Sequence, residues 1–433
     1  GLFRTVLLLL FLSLVGAASA ASGTEKATRV VVDHTGKEVR IPAKIERIVI
    51  TGPWPLPSVY CLFEGAGDKL VGIHPGSMSA AKHSLLPRVA PGILKARTEF
   101  LKGDVLNSEE LFELKPDVVF YRVEAAAHAK QLALTGIPAV GFSTALSGFD
   151  TIKTFESWVH LLGEVLQQED RASGIVEYGR RTYDEIQDAL NGVKGLKRPR
   201  ALILFNYGEG NIKTSGSNFY GQYWLESTGA INVASELSGV ADINMEQVYA
   251  WDPDIIYITN FSRHMPEDLY ENAIPGHDWS TVRAVRERKV YKFPLGMYRW
   301  YPPASDTPLV LKWLAKKNQP ELFADVDMDA EVRAYYKRFY NLDLTDEDLR
   351  NIFNPARGRQ RQVSMRKRRI LFLLALLPVA AAVFCLGIGR YHVGVGETLE
   401  ILLSALRGEG AASTAYSVIC KVRLPRILLS LFV

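Results

Sequence analysis

Three cysteines in 433 residues, Cys61, Cys385 and Cys420, are too few and too widely spaced for a disulfide framework. Only Cys61 falls in the main body of the chain, where a buried, inert thiol is the expectation. Charge of one sign is also scarce. The net charge is +4, and much of it sits in one run from Arg357 to Arg369, so no basic face for nucleic acid is present. Neither a phosphate-cradling P-loop nor a Gly-x-Ser-x-Gly elbow occurs. Ser215-Gly216-Ser217 and His264 are the nearest approach to a nucleophile and base. No framework joins them, so no catalytic residues are assigned and the chain reads as a non-enzyme. The histidines (His34, His74, His83, His128, His160, His264, His277, His392) lack zinc-type spacing, so no metal site held by the protein is expected. His74 follows a strand and could reach a cleft, but it reads as an exposed loop residue.

Long apolar runs are missing between residues 21 and 365 and occur only at the ends. Leu2 to Val15, followed by Ala18-Ser19-Ala20, reads as a secretory signal peptide over residues 1–20, with the mature chain starting near Ala21. No cysteine follows, so no lipid anchor is indicated, and export to a periplasm is expected. The chain opens on Gly1, which suggests that the true start lies upstream. At the other end, Met365-Arg366-Lys367-Arg368-Arg369 leads into an apolar stretch from Ile370 to Ile388, a candidate transmembrane helix over residues 370–389. The basic cluster should remain in the cytoplasm, whereas the preceding domain is exported. Both demands are met if Met365 is an initiator and two adjacent genes have been read as one product. A genuine membrane tether is the alternative.

What is present is an internal echo. Asn107-Ser108-Glu109-Glu110-Leu111-Phe112-Glu113-Leu114-Lys115-Pro116-Asp117-Val118-Val119-Phe120 returns as Asn244-Met245-Glu246-Gln247-Val248-Tyr249-Ala250-Trp251-Asp252-Pro253-Asp254-Ile255-Ile256-Tyr257. Each unit is Asn-x-Glu, a short helix, then Pro-Asp opening a buried strand. Glu109 and Glu246 are thus equivalent points of two similar α/β lobes. Around them, residues 30–42 read as a hairpin, and short strands at 47–51, 70–73, 138–142, 201–205 and 289–293 alternate with helical patterns. That alternation argues βα units and a mainly parallel sheet. Residues 168–191, with no proline and apolar positions at helical spacing, predict a long helix joining the lobes. Residues 206–216 read as a glycine-rich polar loop.

The exported part, about residues 28–352, resembles the periplasmic binding proteins for iron-chelate and vitamin B12 import. The resemblance rests on Asp33-x-x-Gly36-Lys37-x-Val39-x-Ile41-Pro42, both Glu/Pro-Asp units, Thr228 to Ala234, and Trp279 followed by Ala284-Val285 and Val290-Tyr291. It implies two Rossmann-like lobes (28–165 and 197–352) joined by one rigid helix (166–196), then a linker (353–364). It also implies delivery of ligand to an inner-membrane permease dimer driven by cytoplasmic ATPases, with Glu109 and Glu246 as docking residues. Residues 365–433 resemble the start of the matching permease family, Val422-Arg423-Leu424-Pro425-Arg426 being their best mark.

Loops at the C-terminal ends of strands should form the ligand cleft. Trp54, Tyr121, Arg122, Tyr207, Lys213, Tyr298, Arg299, Trp300 and Tyr301 fall there. Aromatics with a few cations suit a large anionic chelate: an Fe(III) siderophore, haem, or alternatively a corrinoid or nickel chelate. The chain carries no cofactor of its own in this reading. A membrane-tethered ligand sensor is the alternative from another class.

Overall fold

The computed structural model describes residues 27–103, 105–208, 211–355, 393–407, 413–425 and 427. The chain separates into two compact units, Gly1–Pro355 and Ala356–Val433. The first opens with the antiparallel hairpin β1 (Thr28–Val32) and β2 (Glu38–Pro42). Asp33 fixes its turn by accepting from the Thr35 amide at 2.8 Å, and fastens it to a neighbouring strand through the Gly141 amide at 2.9 Å.

β3 (Ile48–Ile50) and β4 (Leu70–Ile73) come next, then a small antiparallel pair, β5 (Leu101–Lys102) and β6 (Val105–Leu106). β7 (Val118–Arg122) and β8 (Ala139–Phe142) complete a four-stranded parallel sheet of order β4-β3-β7-β8. Its strands are continuous apolar runs because both faces are covered.

A helix over Thr151–Leu166 follows, capped by Asp150, whose carboxylate accepts from the Lys153 amide at 3.0 Å. Gln167 takes a left-handed backbone and turns the chain into a 24-residue helix, Glu169–Gly192, about 36 Å long. Its buried positions, among them Ala172, Ile175, Val176, Gly179, Thr182 and Ile186, form a single stripe. Arg180 grips the nearly buried Glu156 of the preceding helix with a two-pronged pair at 2.8 and 2.9 Å. One buried cluster runs from Ile48 and Phe120 through Ile175 and Ile186 to Ile203 and Tyr257, so the helix is packed into a common core rather than hung between two cores.

The second sheet contains β9 (Arg200–Gly208), β10 (Asn211–Ser215), β11 (Ile231–Asn232), β12 (Val240–Ile243), β13 (Ile255–Ile258) and β14 (Val290–Lys292). The order is β12-β10-β9-β13-β14, with β11 also on β9. β11 and β13 run parallel to β9, and β14 parallel to β13, whereas β10 is antiparallel to both β9 and β12. This corrects the reading of residues 206–216 as a loop. Tyr207 and Ile212 are register partners that bury on the same face, so apolar alternation wins over the local glycines and polar residues.

Of the second unit, the helix Val395–Leu406 is described. Its twelve residues span about 18 Å, short of the roughly 30 Å of a bilayer core. Among the described residues no helix is long and apolar enough to cross a membrane. The signal segment, the candidate span at 370–389 and Cys385 lie outside the described residues. Cys61 is buried, and burial pushes its thiol up to about 12, so it is unreactive at neutral pH.

After β14 the chain folds back on one carboxylate. Oδ2 of the fully buried Asp306 accepts from the Met297 amide (2.7 Å), the Trp300 indole (2.8 Å) and the Tyr336 hydroxyl (2.9 Å). Gly296 sits directly beneath with φ +58°, and a Cβ there would collide with Asp306 Oδ2 and Trp300 Nε1. Burial lifts Asp306 from 3.8 to about 6, against the pull of these donors. A folded value above the unfolded one means that its stabilising contribution is complete below the ordinary carboxylate range and is lost as pH rises through about 6. Asp306→Asn removes this titration. The melting-temperature advantage of wild type over the variant is therefore expected to shrink between about pH 4 and pH 7, as measured by calorimetry.

Candidate functional site

The C-terminal ends of the parallel strands in both sheets open onto one cavity of about 510 Å³. From the first sheet come Thr51 to Pro55 after β3, His74 after β4, Arg122 at the end of β7 with Glu124 and Ala125 beyond it, and Thr144 after β8. From the second come Phe205 on β9, Phe261 after β13, and Tyr298 and Tyr301 after β14. Phe149 and Trp158 form part of the wall where the first helix of the connection passes, and Phe219 and Tyr220 face them. Tyr220 donates its hydroxyl to the Thr144 carbonyl at 2.6 Å, and its ring packs on Phe149, so the two sets of loops touch.

Trp54, 41% exposed, stacks on His74 with centroids 4.8 Å apart. His74 is a correction: it is buried, lines the cavity and caps the helix Pro75–Ala81, its Nδ1 accepting from the Gly76 amide at 2.9 Å. That bond leaves the proton of the neutral ring on Nε2. Trp158 is fully buried and donates to the Ser143 carbonyl at 2.6 Å. Tyr301 donates to Ser215 Oγ at 2.8 Å. Burial pushes the Tyr298 phenol up to about 12, with Arg299 beside it pulling the other way.

Trp54, Arg122, Tyr298 and Tyr301 are brought together at the cavity. Arg299 stands one layer behind, its guanidinium 4.6 Å over the ring of Phe261. The other four residues named from the sequence do not line it. Alternation along β7 sends Tyr121 into the core with Val49 and Phe100 while Arg122 emerges at the strand end. Tyr207 faces the far side of the second sheet, where Trp279 Nε1 donates to its hydroxyl (2.9 Å) and His277 Nδ1 lies 2.6 Å away. Lys213 pairs with Asp242, its register partner on β12, at 2.9 Å. Trp300 is buried on Asp306. The run Met297–Tyr301 thus alternates between core and cavity.

Residues missed in the sequence include Glu124, His128, Phe149, Phe205, Phe219 and Phe261. Phe205 lies just past the part of β9 that pairs with β13, and Phe261 just beyond β13, a signal that was available. Ser215 accepts from Tyr301 and from the Gly221 amide, and His264 packs on Tyr207, so these two candidates have separate partners. Among the described residues no group of three or more His, Cys, Asp or Glu is placed to hold a metal ion.

A second buried charge controls this wall. Lys292, at the end of β14, donates to the carbonyls of Thr259 (2.9 Å), Ser262 (2.7 Å) and His264 (2.9 Å), closing the loop that carries Phe261. Burial lowers its pKa to about 7, which Asp268 opposes and Arg299 reinforces. Lys292→Met strands three buried carbonyls, each costing about 1–3 kcal/mol when unmet. Urea unfolding is expected to show a loss of at least about 2 kcal/mol.

Residues 48–295 match the Periplasmic binding protein family, and the chain belongs to it. A periplasmic solute binding protein of Veillonella parvula is 31% identical with a TM-score of 0.69, covering 76% of this chain and 97% of that one. The molybdate-binding protein MolA of Haemophilus influenzae is 28% identical over 349 residues, covering 74% of this chain and 93% of MolA. CeuE of Helicobacter pylori, solved with Ni-His, is 25% identical with a TM-score of 0.58, covering 76% and 100% of the two chains. Membership implies a periplasmic, ligand-binding component of an ABC transporter, in a family of binding proteins rather than enzymes.

Proposed function

We propose that this periplasmic binding protein captures an anionic metal chelate between two lobes, residues 28–165 and 197–352, and delivers it to an inner-membrane permease dimer with cytoplasmic ATPases. An iron complex, siderophore or haem, is the leading class of ligand. The observation that carries this reading is the cavity itself. Its volume of about 510 Å³ suits a ligand of drug size rather than a bare tetrahedral ion. Trp54, Phe149, Phe205, Phe219 and Phe261 offer ring area, and Arg122 offers a cation with no ion-pair partner among the described residues. The relatives favour two further ligands, molybdate as in MolA and a nickel chelate as in CeuE.

Glu109 and Glu246 are proposed to dock the permease. Both are exposed at the first turn of their helices and have no ion pair among the described residues. Asn107 and Asn244 do the capping, accepting from the Glu109 amide (3.1 Å) and the Gln247 amide (3.0 Å), which leaves both glutamate side chains available. Residues 365–433 are read as the start of the permease. This reading is supported by the basic-then-apolar order of residues 365–388 and by Arg423-Leu424-Pro425-Arg426.

Thermal shifts of residues 21–355 against ferric catecholate, ferric hydroxamate, haem, cobalamin, nickel–histidine and molybdate test the ligand class. One metal chelate at a hundredfold excess over its Kd should stabilise the protein by about 2.7 kcal/mol, and Arg122→Ala should weaken that binding by about 1–3 kcal/mol. Molybdate alone giving a shift would replace the chelate reading with an oxyanion one. Charge reversal at both Glu109 and Glu246 is expected to leave ligand affinity unchanged and to abolish stimulated uptake. Lost ligand affinity in that double variant would refute the docking role.

A further inference from the structure

The cavity holds a fixed negative charge as well as Arg122. Glu124 stands two residues further along the same loop, at the solvent-facing rim, and lines the cavity. Its Oε1 accepts from Ser143 Oγ (2.5 Å), the Thr144 amide (2.8 Å) and the Ala145 amide (3.1 Å). Oε2 accepts from Thr144 Oγ1 at 2.9 Å. Desolvation pushes this carboxyl up, but donors led by the Ser143 hydroxyl, with the Glu124 amide and the hydroxyl and amide of Thr144, outweigh it and hold the group below the usual carboxylate range. Glu124 is therefore ionised at neutral pH, and no cation pairs with it among the described residues. Each carboxylate oxygen has about two acceptor positions, so Oε2 keeps room for a donor from outside the protein.

Arg122 and Glu124 both act on the Tyr220 phenol, one lowering and the other raising its pKa, which places the opposite charges around one part of the wall. The rest of that wall is largely aromatic. A ligand that is anionic on every face meets Arg122 favourably and Glu124 unfavourably. A ligand with an anionic group at one end and N–H donors or a cationic group at the other satisfies both. Resting on the receptor reading above, we infer that the ligand is a dipolar metal chelate, and that Glu124 is the residue that disfavours bare oxyanions.

Calorimetric titration of the wild-type protein and Glu124→Gln with molybdate and with nickel–histidine tests this. Molybdate is a bare oxyanion, and nickel–histidine carries N–H donors on its coordinated amines. Wild type should bind nickel–histidine at least about tenfold more tightly than molybdate. Glu124→Gln should narrow that ratio severalfold, chiefly by gaining molybdate affinity. Molybdate bound by wild type as tightly as nickel–histidine overturns the assignment and leaves the receptor reading standing, whether or not the variant folds. A variant that loses affinity for both probes equally also overturns it, since Glu124 would then only staple the loop at residues 143–145. If neither these probes nor any other member of the chelate panel stabilises the wild type, the dipolar ligand and the receptor reading fall together.

Discussion

Three donors converging on one buried oxygen, Asp306 Oδ2, form the contact on which the ligand-facing side of the second sheet depends. A carboxylate without access to water is costly unless its acceptor positions are filled. Here the filling groups are a backbone amide, an indole and a phenol drawn from the loop after β14 and from the helix Met328–Tyr340. The bonds that satisfy the charge therefore also fix the path of residues 296–301, which bring Tyr298 and Tyr301 to the cavity. Gly296 is required for the same reason, because nothing larger than hydrogen fits beneath the carboxylate. Lys292 repeats the device with opposite sign, an ammonium satisfied by three carbonyls of the next loop. Two buried charges thus hold two flexible connections in place and leave the strands free to be plain apolar core.

The first sheet uses milder means. Asp33, Glu124 and the Nδ1 of His74 each accept from backbone amides of the turns and loops they organise. Their geometry sets which side chains reach the cavity. The helix Glu169–Gly192 is packed along its buried face and clipped by Arg180 and Glu156, so it acts as a stiff spacer between these two sets of loops. A stiff spacer with loops meeting across Tyr220 and Thr144 suits a protein that must grip a ligand with little reorganisation.

Much of the fold was legible because the signals are periodic. The repeated Asn-x-Glu and Pro-Asp units announce two similar α/β halves, and the proline-free stretch at 168–191 announces the connecting helix within a residue of its observed ends. The hairpin of β9 and β10 was hidden by glycine and asparagine, since its pairing depends on register with a neighbour rather than on local propensity. Site residues were harder. Tyr121 and Arg122 are adjacent in sequence, yet strand alternation gives the cavity only the second. Tyr298 and Trp300 are separated in the same way by the demand of Asp306 for an indole donor. Glu124 and His74 carried no sequence signal beyond their places after strands, because their roles come from loop amides that fold onto them.

The central claim is that loops from both sheets close on one ligand. Hydrogen exchange, compared with and without the chelate that stabilises the protein most, tests it directly. Slowed exchange should appear together in residues 51–55, 122–128 and 144–149 of the first half and in residues 259–264 and 296–302 of the second. Protection confined to one half would contradict a shared cavity and place the ligand on a single lobe.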